Sequence, residues 1–173
     1  MDKKIGTALA ALRIALGAGF LYAGLDKVVH FDGSAKAFSA AGFLKGATAG
    51  TLPGSAEGAV VNPTHAFWAG LAGNADLMTI VNVLVVFGEI AIGAALILGL
   101  LTRFSAVMGT LMMALFWIAN WDFAHGLVNE QFLYGAVAAF IAVAAPIQAY
   151  ALDKVVATSA LVRRAPALRT VLG

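Results

Sequence analysis

Arg13 and Glu89 stand inside long apolar runs of this 173-residue chain, and their placement is the first feature of the sequence with chemical content. A charge at membrane depth costs about 2.5–3.5 kcal/mol on insertion scales, so such residues turn toward protein or a cavity and are functional by default. At 1.5 Å per helical residue, Arg13 lies about 12 Å and Glu89 about 18 Å from the same end of their runs, a gap of about one arginine side chain. If the two helices are neighbours, this predicts an Arg13–Glu89 ion pair. That pair either fixes helix register or sets a ligand-binding, proton-carrying carboxylate beside a cation.

The surrounding residues extend the pattern. Arg13, Gly17, Phe20, Gly24 and Lys27 share one face of a helix, because residues three, four and seven apart point the same way. Asn82, Glu89 and Gly93 share a second such face, and Gly109, Met113, Phe116 and Asn120 a third. Turned inward, these stripes predict a pocket with small floors and polar walls. Small residues also let membrane helices pack closely, which accounts for most of the glycines without a ligand. A second polar cluster joins Asp26, Lys27, His30, Asp76, Asn120, Trp121, Asp122, His125, Asn129 and Glu130. For Lys27, Asn120 and Glu130 the plainer reading is a solvated helix end. For Trp117 and Trp121 it is an interfacial anchor.

The elements that must position these residues follow from the apolar runs. Hydrophobic residues make up 61% of the chain and charged residues 12%, against about 45–50% and 25% in a soluble domain. Four stretches, at about 5–29, 77–101, 104–121 and 131–152, reach the ~20 residues needed to cross ~30 Å of hydrocarbon. The expected fold is an all-α, integral membrane four-helix bundle occupying 1–155, followed by a basic cytoplasmic tail at 156–173. The segment 33–76 between the first two spans is long enough to hold short helices of its own, one over Ser34–Leu44 and another starting at Asn62-Pro63-Thr64. Lys3, Lys4, Arg103, Lys154, Arg163, Arg164 and Arg169 fall on one side, and only Lys27, Lys36 and Lys45 on the other. The excess of positive charge places both termini in the cytoplasm and the long loop on the outer face of the plasma membrane. The tail is suited to touching anionic lipid.

Composition also excludes chemistry. The chain has no cysteine, which removes disulfides, thiolate metal sites and iron–sulfur ligation. All three histidines lie in loops, so neither haem nor a metal is expected. No basic stripe tracks phosphates, so nucleic acid is not a partner. The apolar run after Lys4 is longer than a signal core and contains Arg13, so it is read as a retained helix.

Two segments carry a resemblance. Leu12–Val28 (LRIALGAGFLYAGLDKV) and Gly88–Met113 (GEIAIGAALILGLLTRFSAVMGTLMM) resemble the signatures of DoxX/DoxD-type membrane proteins. Those signatures are an early Arg followed by Phe, Ala-Gly and Lys, and a Gly-Glu opening of a small-residue helix that ends Leu-Gly-Leu-Leu-Thr-Arg. The long segment with AGFLKG and FWAGLAGN is more like the DoxD branch. That branch supplies the membrane subunit of thiosulfate:quinone oxidoreductase, which joins two thiosulfates to tetrathionate and passes two electrons to membrane quinone, acting with a second subunit on the outer face. The resemblance thus implies quinone as a substrate, and membrane lipid and other subunits as partners, with self-association a further option. It brings no established catalytic residues, so the assignment rests on the residues themselves. Glu89 and Arg13 are expected to be catalytic, with Glu89 relaying protons. Lys27, Asn82, Asn120, Trp121 and Glu130 are expected to bind substrate or quinone. Lys27, with Lys36 or Lys45, would draw in the sulfur oxyanion, while Asn120 and Trp121 would hold the quinone. Two other classes compete: a non-catalytic accessory subunit of a larger respiratory or redox assembly, and a small transporter. The inverted-repeat pattern of a transporter is missing.

Overall fold

The computed structural model of the chain describes residues 2–31, 37–48, 62–121 and 127–172, and every regular element among them is helical. Four helices are long and apolar enough to cross a membrane. They are α1 (Asp2–Val29), α4 (Ala75–Leu98), α5 (Thr102–Asn120) and α6 (Glu130–Ala144), the last reaching spanning length with the 3-10 turn that carries it to Ile147. Between the first two lie the short α2 (Ala40–Thr48) and α3 (His65–Gly73), and α7 (Asp153–Val156) and α8 (Ala160–Arg164) follow the bundle. The spanning helices alternate in direction. One end of the bundle, the terminal end, carries the N-terminus, the α4–α5 hairpin and the C-terminal segment. The other, the loop end, carries α2 and α3.

Glycine sets the closest contact. Gly17 and Gly24 of α1 face Gly93 and Ile90 of α4, and a Cβ on Gly17 would come within 2.9 Å of the Gly93 carbonyl oxygen. Backbones can approach this closely only where side chains are missing. On the other side α5 packs along α6. The buried side chains of Leu16, Phe20, Ile92, Leu96, Ala106, Met113, Ala138 and Ile141 fill the middle.

Each connection has a local cause. Asn74 and Asn129 sit before α4 and α6, where their side chains accept from the backbone N–H groups of Leu77 and Phe132, as helix N-caps do. The α4–α5 hairpin turns through Gly99 (φ 66°) and Leu101 (φ 52°). The Asp153 carboxylate accepts from the Leu101 and Thr102 N–H groups at 2.7 and 2.8 Å and so closes the start of α5.

The apolar run of the fourth span continues to Leu152, but the helix stops at Ala144 and a 3-10 turn follows over Ala145–Ile147. Pro146 lacks the N–H that would continue the ladder. The chain then folds back beside α1, with the Ala149 N–H donating to the Gly6 carbonyl at 3.0 Å. The basic segment beyond it is also seated on the bundle. The Phe104 N–H donates to the Val171 carbonyl at 3.2 Å, and Val162 and Leu172 are buried.

At the loop end, α2 and α3 lie over α4 and α5 around Ala40, Leu44, Ala72, Met78 and Ala119. The helix expected over Ser34–Leu44 is instead Ala40–Thr48, and Ser34 lies outside the described residues. The Ala40 N–H donates to Asn82 Oδ1 at 2.8 Å, which ties the start of α2 to α4. Thr64 precedes α3, as the Asn62-Pro63-Thr64 signal predicts, and its hydroxyl accepts from Trp68 Nε1 at 2.8 Å. Asn62 Nδ2 donates to the carbonyls of Ile118 and Ala119 at 3.1 and 2.8 Å, so it satisfies the end of α5.

Candidate functional site

Glu89 is buried, with its side chain 4% exposed, and its partner is Lys27. Lys27 Nζ stands 2.7 Å from Oε2 and donates to Oε1 at 3.0 Å and to the Ala23 carbonyl at 3.2 Å. The ammonium also lies 5.3 Å from the centre of the Phe38 ring, a cation–π distance.

The expected Arg13–Glu89 pair is therefore not formed. The two helices are neighbours and both residues are buried, but Glu89 packs beside Gly24, eleven residues and about 16 Å along α1 from Arg13. Side-chain direction completes the separation, because helical side chains lean toward the N-terminus of their own helix. Glu89 on α4 leans toward the loop end. Lys27 on α1 leans inward to meet it, and Arg13 on α1 leans away toward the terminal end. There Arg13, 0% exposed, donates from Nη2 to the Tyr150 carbonyl at 3.0 Å. The Asp153 carboxylate is its electrostatic counterpart. Arg13 thus belongs to a latch between α1, the hairpin and the C-terminal segment.

The Lys27–Glu89 pair borders a cavity of about 520 Å³, within the range of small-molecule sites. Its walls come from five elements or segments, with Val85 and Glu89 on α4, and include six aromatic rings. Tyr22 and Phe20 are on α1, Phe38 and Phe43 on or just before α2, Phe116 on α5 and Tyr134 on α6. Phe43 and Phe116 meet with ring centres 5.9 Å apart and close the cavity toward α5. Tyr22 and Tyr134 are largely exposed on the bundle surface, at 63% and 53%, so they flank a side that faces lipid. Glu130 is an exposed residue of the wall. Its Oε1 accepts from Gln131 Nε2 at 3.0 Å, and Gln131 lines the same cavity.

Three of the expected site residues, Lys27, Glu89 and Glu130, thus meet at one cavity. Asn82 stands behind it and holds Ala40, itself a wall residue. Asn120 and Trp121 are not among the lining residues. Trp121 stacks on Trp117 at 5.6 Å, and Trp117 Nε1 donates to the Leu127 carbonyl at 2.8 Å, so both serve the edge of the bundle. Lys45 is exposed on α2. Lys36, Asp122 and His125 lie outside the described residues. The sequence reading missed the aromatic lining from Phe38, Phe43, Tyr22 and Tyr134. The available signal was the pair Phe38 and Phe43 on a short apolar segment, which reads as a surface helix until α4 and α5 are placed beneath it. Asp153 was missed as well, because a single acid after the last span gives no sign of the turn it closes.

A family model described as DoxX matches residues 8–60 and 62–122. Comparison with curated proteins and with solved structures gives no match. The matched stretch contains Lys27, Glu89 and the aromatic α2 segment, and it ends before Glu130.

Proposed function

The chain belongs to the DoxX family and is a multi-pass membrane protein, and from that premise we propose that it is the membrane subunit of a quinone-linked oxidoreductase whose quinone ring enters the aromatic cavity beside Lys27 and Glu89. The observation that carries this reading is the ion pair of Lys27 with the buried Glu89 on the wall of a ~520 Å³ cavity that six aromatic rings help to line. A flat ring stacks on aromatic walls. The ammonium of Lys27 donates to a ring carbonyl and stabilises negative charge as it develops there. Reduction adds two electrons and two protons, turning both carbonyls into hydroxyls, and Glu89 is placed to pass a proton. The electrons come from the oxidation of a sulfur oxyanion, two thiosulfates joining through a new S–S bond as tetrathionate. That oxidation belongs to a partner subunit at the loop end, which we place outside the plasma membrane with both termini in the cytoplasm.

The ion pair also bears on where an oxyanion would be drawn. The charge of Lys27 is already matched by Glu89 at 2.7 Å, so the pair is neutral overall and offers an anion little attraction. The cavity suits a neutral ring better than thiosulfate. Glu89→Gln keeps the shape and removes the ionisable group. In native membranes it is expected to lower donor-dependent quinone reduction at least tenfold while the protein accumulates normally. Unchanged turnover would remove Glu89 from the reaction and with it this reading.

A further inference from the structure

The ionisable groups of the cavity are unevenly placed along the membrane normal. They are Tyr22 and Lys27 on α1, Glu89 on α4, and Glu130 and Tyr134 on α6. Glu130 is the first residue of α6, is exposed, and lines the cavity. It therefore touches both the aqueous edge of the loop end and the interior. Toward the terminal end the described residues of α4, α5 and α6 carry no ionisable side chain between the cavity and the Arg13–Asp153 level; the buried polar groups there include Ser105 and the Gln148 amide, which donates to the Ile141 carbonyl at 3.3 Å. On α4 no ionisable residue follows Glu89 up to Leu98, a run of about 13 Å. On α5 there is none from Phe104 to Asn120, and on α6 none from Gly135 to Ala144. The layer at this depth is closed by Leu16, Ile92, Leu96, Ala106 and Ile141, none more than 8% exposed. Where packing is this tight and the polar groups stand singly, a proton has no connected chain of polar groups to follow. Arg13 and Asp153, both 0% exposed, lie beyond it and are bound to backbone.

We infer that the cavity exchanges water and protons with the loop side of the membrane alone, with Glu130 at the entry, so that a ring reduced in it takes both protons from that side. The final clause rests on the quinone reading, whereas the one-sided access does not.

The chain has no native cysteine, so a single introduced thiol reports access cleanly. Ala23→Cys places one on the cavity wall. Gly19→Cys places another one turn deeper, where an added Cβ meets nothing within 4 Å, and serves if the first variant fails to fold. Leu127→Cys and Thr170→Cys, both exposed, mark the loop and terminal sides. In sealed proteoliposomes, a membrane-impermeant methanethiosulfonate should label the cavity thiol from the side that labels Leu127→Cys and never from the side that labels Thr170→Cys. A trimethylammonium reagent should react about tenfold faster than a sulfonate reagent, because it enters past one negative charge, and Glu130→Gln should remove most of that ratio. Labelling from the terminal side, labelling from neither side, or a ratio indifferent to Glu130→Gln would overturn the inference. A short-chain quinone analogue added before the reagent tests the reading separately. Loop-side labelling that the analogue fails to slow leaves one-sided access standing and removes the quinone.

Discussion

The two buried charge clusters of this bundle, Lys27–Glu89 near the loop end and Arg13–Asp153 at the terminal end, have similar composition and different surroundings. Each combines a cation and a carboxylate from distant parts of the chain. Arg13 donates to the Tyr150 carbonyl, and Asp153 accepts from the Leu101 and Thr102 N–H groups and faces Arg13 as its opposite charge. No wall of the cavity comes from either residue. Lys27 and Glu89 instead hold each other, and both face a volume large enough for a ring. A charge buried at membrane depth is therefore an ambiguous sign by itself. What separates the two clusters is whether the charges border an open volume.

That contrast can be broken most directly at the latch. Asp153→Ala removes both acceptors of the hairpin and leaves Arg13 without its carboxylate, which is expected to cost about 3–5 kcal/mol. Thermal unfolding in detergent reads this, and a variant as stable as the parent would show that the hairpin does not depend on Asp153. At the other cluster the loss should be smaller, because Lys27 is partly exposed and beside a cavity. Lys27→Met leaves Glu89 buried and unpaired, at about 1–3 kcal/mol. The double variant Lys27→Met/Glu89→Gln should regain most of that stability without regaining ring binding. Additive losses in that cycle would mean the two residues do not act as a pair. The smallest effect is expected at the aromatic wall. Phe43→Leu should leave unfolding unchanged and weaken binding of a quinone analogue about three- to tenfold, the size of one aromatic contact. A shift in unfolding instead of binding would make Phe43 a packing residue.

The membrane helices were legible because hydropathy over some twenty residues is a strong signal that no tertiary contact reverses. The stripes on α1 and α4 were legible too, since Gly17 meets Gly93 and Gly24 meets Glu89 and Ile90 across the interface. What failed was the pairing. Counting residues locates a Cα along the normal, but the tilt of side chains carries Lys27 toward Glu89 and Arg13 away from it. The cavity was half legible: its charges follow from periodicity, and its aromatic roof does not. Phe38 and Phe43 lie about fifty residues from Glu89, on a segment whose position depends on contacts such as Ala40 to Asn82. The same holds for Asn62, whose partners lie 56 and 57 residues later.

That separation has a consequence for how the chain is made. The ribosome delivers Asn62 well before Ile118 and Ala119 exist, so the segment bearing α2 and α3 is made before the α5 end it docks against. Its contacts with α5 can form only once α5 has joined the bundle. The roof over the cavity is thus completed late, and a nascent chain stalled before α5 would hold its first two spans together with the cavity still uncovered.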